Sequence, residues 1–587
     1  MRCHSRKLRT KMVILGHVLL ALTWALTACA PASSAPTVPV PPASPTSSAS
    51  SPSSQSSAPP TAVPAPSTRA PQVTPTIVSR VTPTPAAAAQ YGGTLTLTNY
   101  ESPSHFDMLQ GVRTDVSIPF RNVYSALLRR DPIETEKIIP ELAESWTVSQ
   151  DGLTYTFVIR KGALWHDGQP VTTKDVEFSL TRMKFPPKGV SSPRGQSLLQ
   201  GVVSIKALDD SRVELKLDQP SSSFLGRIAT DWVVIVPKHT TEKHGDLKQI
   251  VNGSGPFKFV RYTSGVSVEL TKNKDYFASG RPFVDNVILY ILPDAGTSFA
   301  ALRTGRVLMS TLGSRAATDA QIRITQKELA DKITVERYQS FSRYLVRPNL
   351  QVKPWDDARV REALNLAINR QEFVKLTLLG IEGGYFHPNT KWGLPLSDLT
   401  TRPGWRQPKD QDVAAAKKLL TDAGYNKETN IPLLCRRGAD CEIYATTLKS
   451  QLEPIGFKTT VTPMEGPVLE DRMAKGEFSL VLHALGVGLD DPDSIIFEQH
   501  VSNAPRNYGK YKDPEIDAWA KEQSRTLDEN KRRELVRKID ERLMSVHESP
   551  SLLWLDYVRL YWKNVRGIRH GPGIYTDENL EYVWLAK

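Results

Sequence analysis

Cysteine is scarce, with four in 587 residues, and acidic residues are missing altogether from the first 90. After residue 28 no stretch is apolar for long enough to cross a bilayer, so the remainder reads as soluble. The chain has no Gly-x-Ser-x-Gly elbow and no His-Glu-x-x-His; His547-Glu548 lacks the second histidine. Without a nucleophile–base pairing of that kind, the secreted-enzyme reading has no motif to stand on. No Walker lysine or Rossmann glycine spacing accompanies the glycines, which argues against a phosphate cradle. Lys and Arg are interspersed with acids rather than clustered, which argues against nucleic acid as a partner. There is no His-rich tract, and no ligand spacing for a metal or other cofactor, so none is expected.

The N-terminus carries an address. Arg2, Arg6, Lys7, Arg9 and Lys11 precede an apolar stretch over residues 12–28 that ends Leu26-Thr27-Ala28-Cys29. A basic start, an apolar centre and small residues before a break form a secretory signal, here residues 1–28. The Leu-Thr-Ala-Cys ending resembles a bacterial lipobox, which implies lipid on Cys29 and an extracytoplasmic protein held at the cell membrane; an ordinary signal peptide is the bland alternative. Loss of the five basic residues lowers the formal net charge from +12 to +7. Residues 29–90 are almost wholly Pro, Ser, Thr, Ala and Val. Such a segment cannot bury enough surface to offset the entropy of ordering, and reads as a disordered tether. About 60 residues reach roughly 190 Å as polyproline helix and about 45 Å as a flexible coil. A glycosylated stalk would have the same composition.

Cys3 leaves with the signal and Cys29 takes lipid, so Cys435 and Cys441 remain, flanking a five-residue loop. Outside the cytoplasm that pair reads as a disulfide, against free thiols; the loop offers too few ligands for a metal.

The remaining stretch of about 500 residues is too long for one core, so two or three domains are expected. Its most informative segment is 140–183, PELAESWTVSQDGLTYTFVIRKGALWHDGQPVTTKDVEFSLTRM. Tyr155, Phe157 and Ile159 alternate at the period of a half-buried strand. Gly162 and Asp167-Gly168 are turn chemistry. Thr172 stands three residues before Asp175, a capping-box spacing, and Val176, Leu180 and Met183 form one helical stripe.

That segment closely resembles the signature of the extracytoplasmic solute-binding proteins of family 5, receptors of ABC importers for peptides, nickel and related solutes. The likeness extends through Gly92-Gly93-Thr94-Leu95-Thr96-Leu97, the turn Gly253-Ser254-Gly255-Pro256-Phe257, the Lys272-Asn273-Lys274-Asp275-Tyr276-Phe277 block and Pro354-Trp355-Asp356-Asp357-Ala358. The turn glycines read as supplying backbone angles that side chains forbid. Val360, Ala363, Leu364 and Ala367 give one buried helical face; Ala416, Leu419, Leu420 and Ala423, stopped by Gly424, give another. Leu535, Ile539 and Leu543 continue a helical region that opens near Asp513-Pro514. These stripes read as core.

The resemblance implies an α/β, two-lobed periplasmic-binding-protein fold of type II with an extra domain inserted in the first lobe, preceded by the signal peptide and disordered tether. Lobe I would comprise 91–339 and 552–587, with the insert at about 134–234, and lobe II 340–551. The partners implied are a peptide or other small-molecule solute, an ABC permease with its ATPase subunits, and the membrane through Cys29. The protein would act as a monomer without cofactor. A receptor that feeds a sensor, or a surface binding module, would share the fold.

In peptide-binding relatives a Trp-x-x-Asp segment ahead of an acidic-proline turn places a carboxylate on the peptide's ammonium. Alignment on Asp491-Pro492-Asp493 puts Leu485 at the Trp position and Gly488 at the Asp position. The amine anchor is then missing, unless Asp490 or Asp491 reaches in. Tyr100 and His105, after the first strand, and His387 and Trp392, in a Gly- and Pro-rich loop, are further candidates by position. The blander alternative is that each packs under its own loop. The three aspartates at 490, 491 and 493 lack calcium-loop spacing.

Overall fold

The computed structural model of the protein describes residues 89–111, 114–134, 136–311, 317–569 and 579–587. The signal peptide, Cys29 and the tether up to residue 88 lie outside the described residues.

Three sheets organise the described chain. The first has four strands in the order Thr94–Asn99, Asn286–Ile291, Ser267–Lys272, Phe257–Thr263, with only the first pair parallel. Leu95 and Leu97 point into its core and are fully buried. The second sheet pairs Ala143–Val148, Thr154–Ile159, Arg212–Leu217 and Val202–Ala207 in that order, all antiparallel. Tyr155, Phe157 and Ile159 alternate inward as the sequence requires. They meet Val176, Leu180 and Met183 of the helix Thr173–Lys184, whose reciprocal Thr172–Asp175 capping box is formed. The two sheets share one hydrophobic cluster, so the inserted segment extends the first body's core instead of building its own. Val565, Leu580 and Val583 return from the C-terminal end to complete it.

The third sheet has six strands in the order Gly380–Ile381, Ser551–Trp562, Ile333–Pro348, Leu480–Gly486, Asn430–Arg436, Lys458–Met464. Two of them are long, at 16 and 12 residues. At one end these two pack with Phe299, Leu302 and Ile322; at the other, with the helices of the second body. Their pairing breaks register between Tyr338 and Ser342, where the Ser340 hydroxyl donates to the Leu555 carbonyl. A bulge leaves ladder groups unpaired and bends the strand. On one face of the sheet the helices Ala358–Ala367, Asp410–Asp422 and Ala439–Leu452 bury the predicted stripes, including Val360, Ala363, Leu364 and Leu420. On the other lie the helices Pro514–Arg525 and Glu529–Val546, with Ile539 and Leu543 fully buried. The protein is therefore two-lobed and mixed α/β.

Two details refine the sequence reading. Cys435, at the end of its strand, and Cys441 are joined as a disulfide with Cα atoms 5.9 Å apart. Gly253 and Gly255 are not at positive φ. They are required by contact: a Cβ would stand 2.0 Å from the Val123 carbonyl oxygen at Gly253, and 2.7 Å from those of Asn122 and Tyr124 at Gly255.

Candidate functional site

A cavity of about 730 Å³ opens between the inserted segment and the second body. That size falls within the range of small-molecule pockets, roughly 300–1,000 Å³. One wall comes from residues 194–227 and the other from 486–525.

The second wall begins where the strand Leu480–Gly486 ends. The chain turns through Val487, Gly488 and Leu489 and enters a short helix, Pro492–Ile495, with Pro at its first position and Asp491 as N-cap. The Asp491 carboxylate accepts from the Asp493 amide at 2.9 Å. It also takes both Nη groups of Arg532, at 2.9 and 2.7 Å. Arg532 comes from the helix Glu529–Val546 and is buried, and its guanidinium lies over the Trp392 ring, 4.9 Å from the centroid. Burial opposes the Arg532 charge, but Asp491 and Asp493 outweigh it and hold the guanidinium protonated.

Asp493 ties the two bodies together. It accepts from Ser223 Oγ of the inserted segment at 2.6 Å, and from Ser524 Oγ at 2.9 Å and Gln523 Nε2 at 2.5 Å within the second body. Beside it the Ser222 amide donates to the Ser524 carbonyl at 2.9 Å. Burial and the neighbouring Asp491 push the Asp493 carboxyl up, against Arg532. Asp490 is pushed up to about 7 by burial, with Arg130 opposing and Glu136 and Asp491 adding to the rise.

Gly488 and Asp491 line the cavity; of the eight candidate binding residues they are the ones that do. Leu485 sits two residues before the turn, buried at the strand's end and paired with Arg343. Trp392 reaches the site indirectly, as the ring behind Arg532. His387 is buried between the rings of Phe341 and Trp554, with Asp556 3.8 Å away. Tyr100 and His105 follow the first strand, Thr94–Asn99, and are not among the lining residues. With Asp491 in a bidentate pair, one of the two carboxylates that could have reached in for an amine is already engaged, and the other, Asp490, is not among the lining residues. Sequence reasoning missed Ser223, Ser524, Arg227 and Arg532. The Ser221-Ser222-Ser223 run directly after a strand and Pro220 was the one visible signal.

Three comparisons bear on this geometry. The family model described as "Bacterial extracellular solute-binding proteins, family 5 Middle" matches residues 137–504. The dipeptide-binding protein of Escherichia coli is 28% identical over 497 residues, spanning 78% of this chain and 88% of that one. A probable di/tripeptide-binding protein of Pseudomonas aeruginosa is 28% identical over 466 residues, 74% of this chain and 84% of its own. Among solved structures, the periplasmic binding protein DppA of Helicobacter pylori, in complex with the peptide STSA, superposes with a TM-score of 0.68 at 24% identity. That match covers 85% of this chain and 99% of the other.

Proposed function

The chain belongs to the bacterial extracellular solute-binding proteins of family 5, and from that membership we propose that it is the membrane-tethered receptor of an ABC importer for oligopeptides or a related small solute. Lipid on Cys29 holds it at the outer face of the membrane, and residues 29–90 let it range over the permease. The lobes, 91–339 with 552–587 and 340–551, close on the solute and present it for transport. What supports this most is the cavity itself, which takes one wall from each body and is bridged by the Ser223–Asp493 hydrogen bond. A site built this way is complete only when the two bodies meet, so ligand and closure are linked. The relatives named for dipeptides and di/tripeptides point to peptides as the solute class.

Native mass spectrometry of the full chain, purified in detergent from a rich medium and then offered a peptide mixture, tests this reading. A dissociable added mass is expected, with the peptide identified on release. Retention of no solute from either source sinks it.

A further inference from the structure

We propose that this cavity engages its solute through an anionic group and selects against a free ammonium; the proposal rests on the binding function just stated. Five basic side chains line it, Arg194, Arg227, Arg506, Lys521 and Arg525, against three acidic ones, Asp491, Asp493 and Glu498. Every one of those acids is committed within the protein. Asp491 is held bidentately by Arg532, which lies behind the wall and brings a further positive charge. Asp493 accepts from three neutral donors, and Arg532 stands 3.5 Å away. Glu498 pairs with Arg506 at 3.3 Å. An incoming ammonium would have to displace one of these donors, and would be desolvated without a carboxylate of its own.

Three of the cations, Arg227, Lys521 and Arg525, are less fully committed. Arg227 spends Nη2 on the Gln200 carbonyl at 3.0 Å and on Ser221 Oγ at 3.3 Å, while its buried Nε has no hydrogen-bond partner among the described residues. Lys521 and Arg525 stand exposed at the mouth, and neither has an acidic partner within 4.0 Å among the described residues. Arg194 lies flat on the Trp232 ring, 3.9 Å from its centroid. A cleft with this balance focuses a positive field on whatever enters, and guanidinium groups bind carboxylate or phosphate oxygens through paired N–H donors. The place that a ligand's ammonium would take on Asp491 is filled internally by Arg532.

The test uses one tripeptide mixture in three forms offered together to the full chain: free at both ends, N-acetylated, and C-amidated. Captured species are counted by mass spectrometry after washing and release. The N-acetylated anions are expected to be enriched over the C-amidated cations by at least about tenfold, a ratio within reach of one charged hydrogen-bonding group. The free form should fall between them. Arg227→Gln should remove most of that enrichment. Should Arg227→Gln fail to fold, the exposed double variant Lys521→Gln/Arg525→Gln should cut it at low salt, and wild type should lose the same part at high salt. Equal capture, or enrichment of the forms with a free ammonium, overturns the anionic preference and leaves the binding function standing. Capture of no form overturns both.

Discussion

Asp540 is wholly buried on the helix Glu529–Val546, and neither carboxylate oxygen has a hydrogen-bond partner among the described residues. Burial pushes its carboxyl up to about 7, Glu541 adds to the rise and Arg343 opposes it. Since the folded value lies above the unfolded one, the favourable contribution is whole below about pH 4 and is lost as pH rises through about 7. Asp540→Asn removes that titration. Its gain in unfolding free energy, measured by denaturant titration, should therefore be larger at pH 8 than at pH 4, by up to about 4 kcal/mol. Equal gains at the two pH values would show that the carboxyl does not titrate in that interval. At this scale the sequence was only partly legible. The Asp491-Pro492-Asp493 turn was visible, but Arg532, 41 residues further on, has no local pattern that pairs it with Asp491. The glycines at 253 and 255 were visible too, yet their reason is three carbonyl oxygens some 130 residues upstream, which no turn rule contains.

Single elements were easier to read, because their signals are local. The helix Thr173–Lys184 was expected from Thr172, Asp175 and the Val176–Leu180–Met183 stripe, and each does what its position requires. Thr172 Oγ receives the Asp175 amide, and Asp175 returns the bond to the Thr172 amide at 2.9 Å. Thr172→Ala should cost the helix about 1 kcal/mol. Amides in its first turn should then exchange with solvent about fivefold faster while the far sheet is unaffected; unchanged exchange would mean that packing alone holds the helix end. The long strands were not legible. Arg337, Arg343 and Arg347 recur along Ile333–Pro348 with no local pattern that says where they point, and Arg343 and Arg347 are buried. The tertiary environment supplies what a local reading cannot, here Tyr385 and Trp554 against Arg343 and the Arg506 carbonyl against Arg347.

For the whole molecule, the crossing points placed near residues 339 and 552 fall on these same two strands, close to the broken register at 338–342. If the lobes move about this place, a bound solute should contract the particle. X-ray scattering of the chain with an established ligand is expected to show a smaller radius of gyration than without it. An unchanged radius would restrict the motion to loops. Two-lobed architecture followed from the resemblance, whereas the shared core of the inserted segment did not, because it joins in one cluster residues as far apart in the chain as Leu95, Tyr155 and Val583.

The return of the C-terminal end into the first core has a consequence for biosynthesis. The second long strand, Ser551–Trp562, fills the centre of the six-stranded sheet. Val565, Leu580 and Val583 close the other body, where Glu581 takes Arg129 and Arg281 in a buried ion pair. Both bodies thus draw on residues from 551 onward, so a chain that stops short of that segment should complete neither core. A chain ending at residue 550 should accordingly remain sensitive to protease along its whole length, where the chain through residue 587 resists. One late segment thus sets the moment at which both bodies can close.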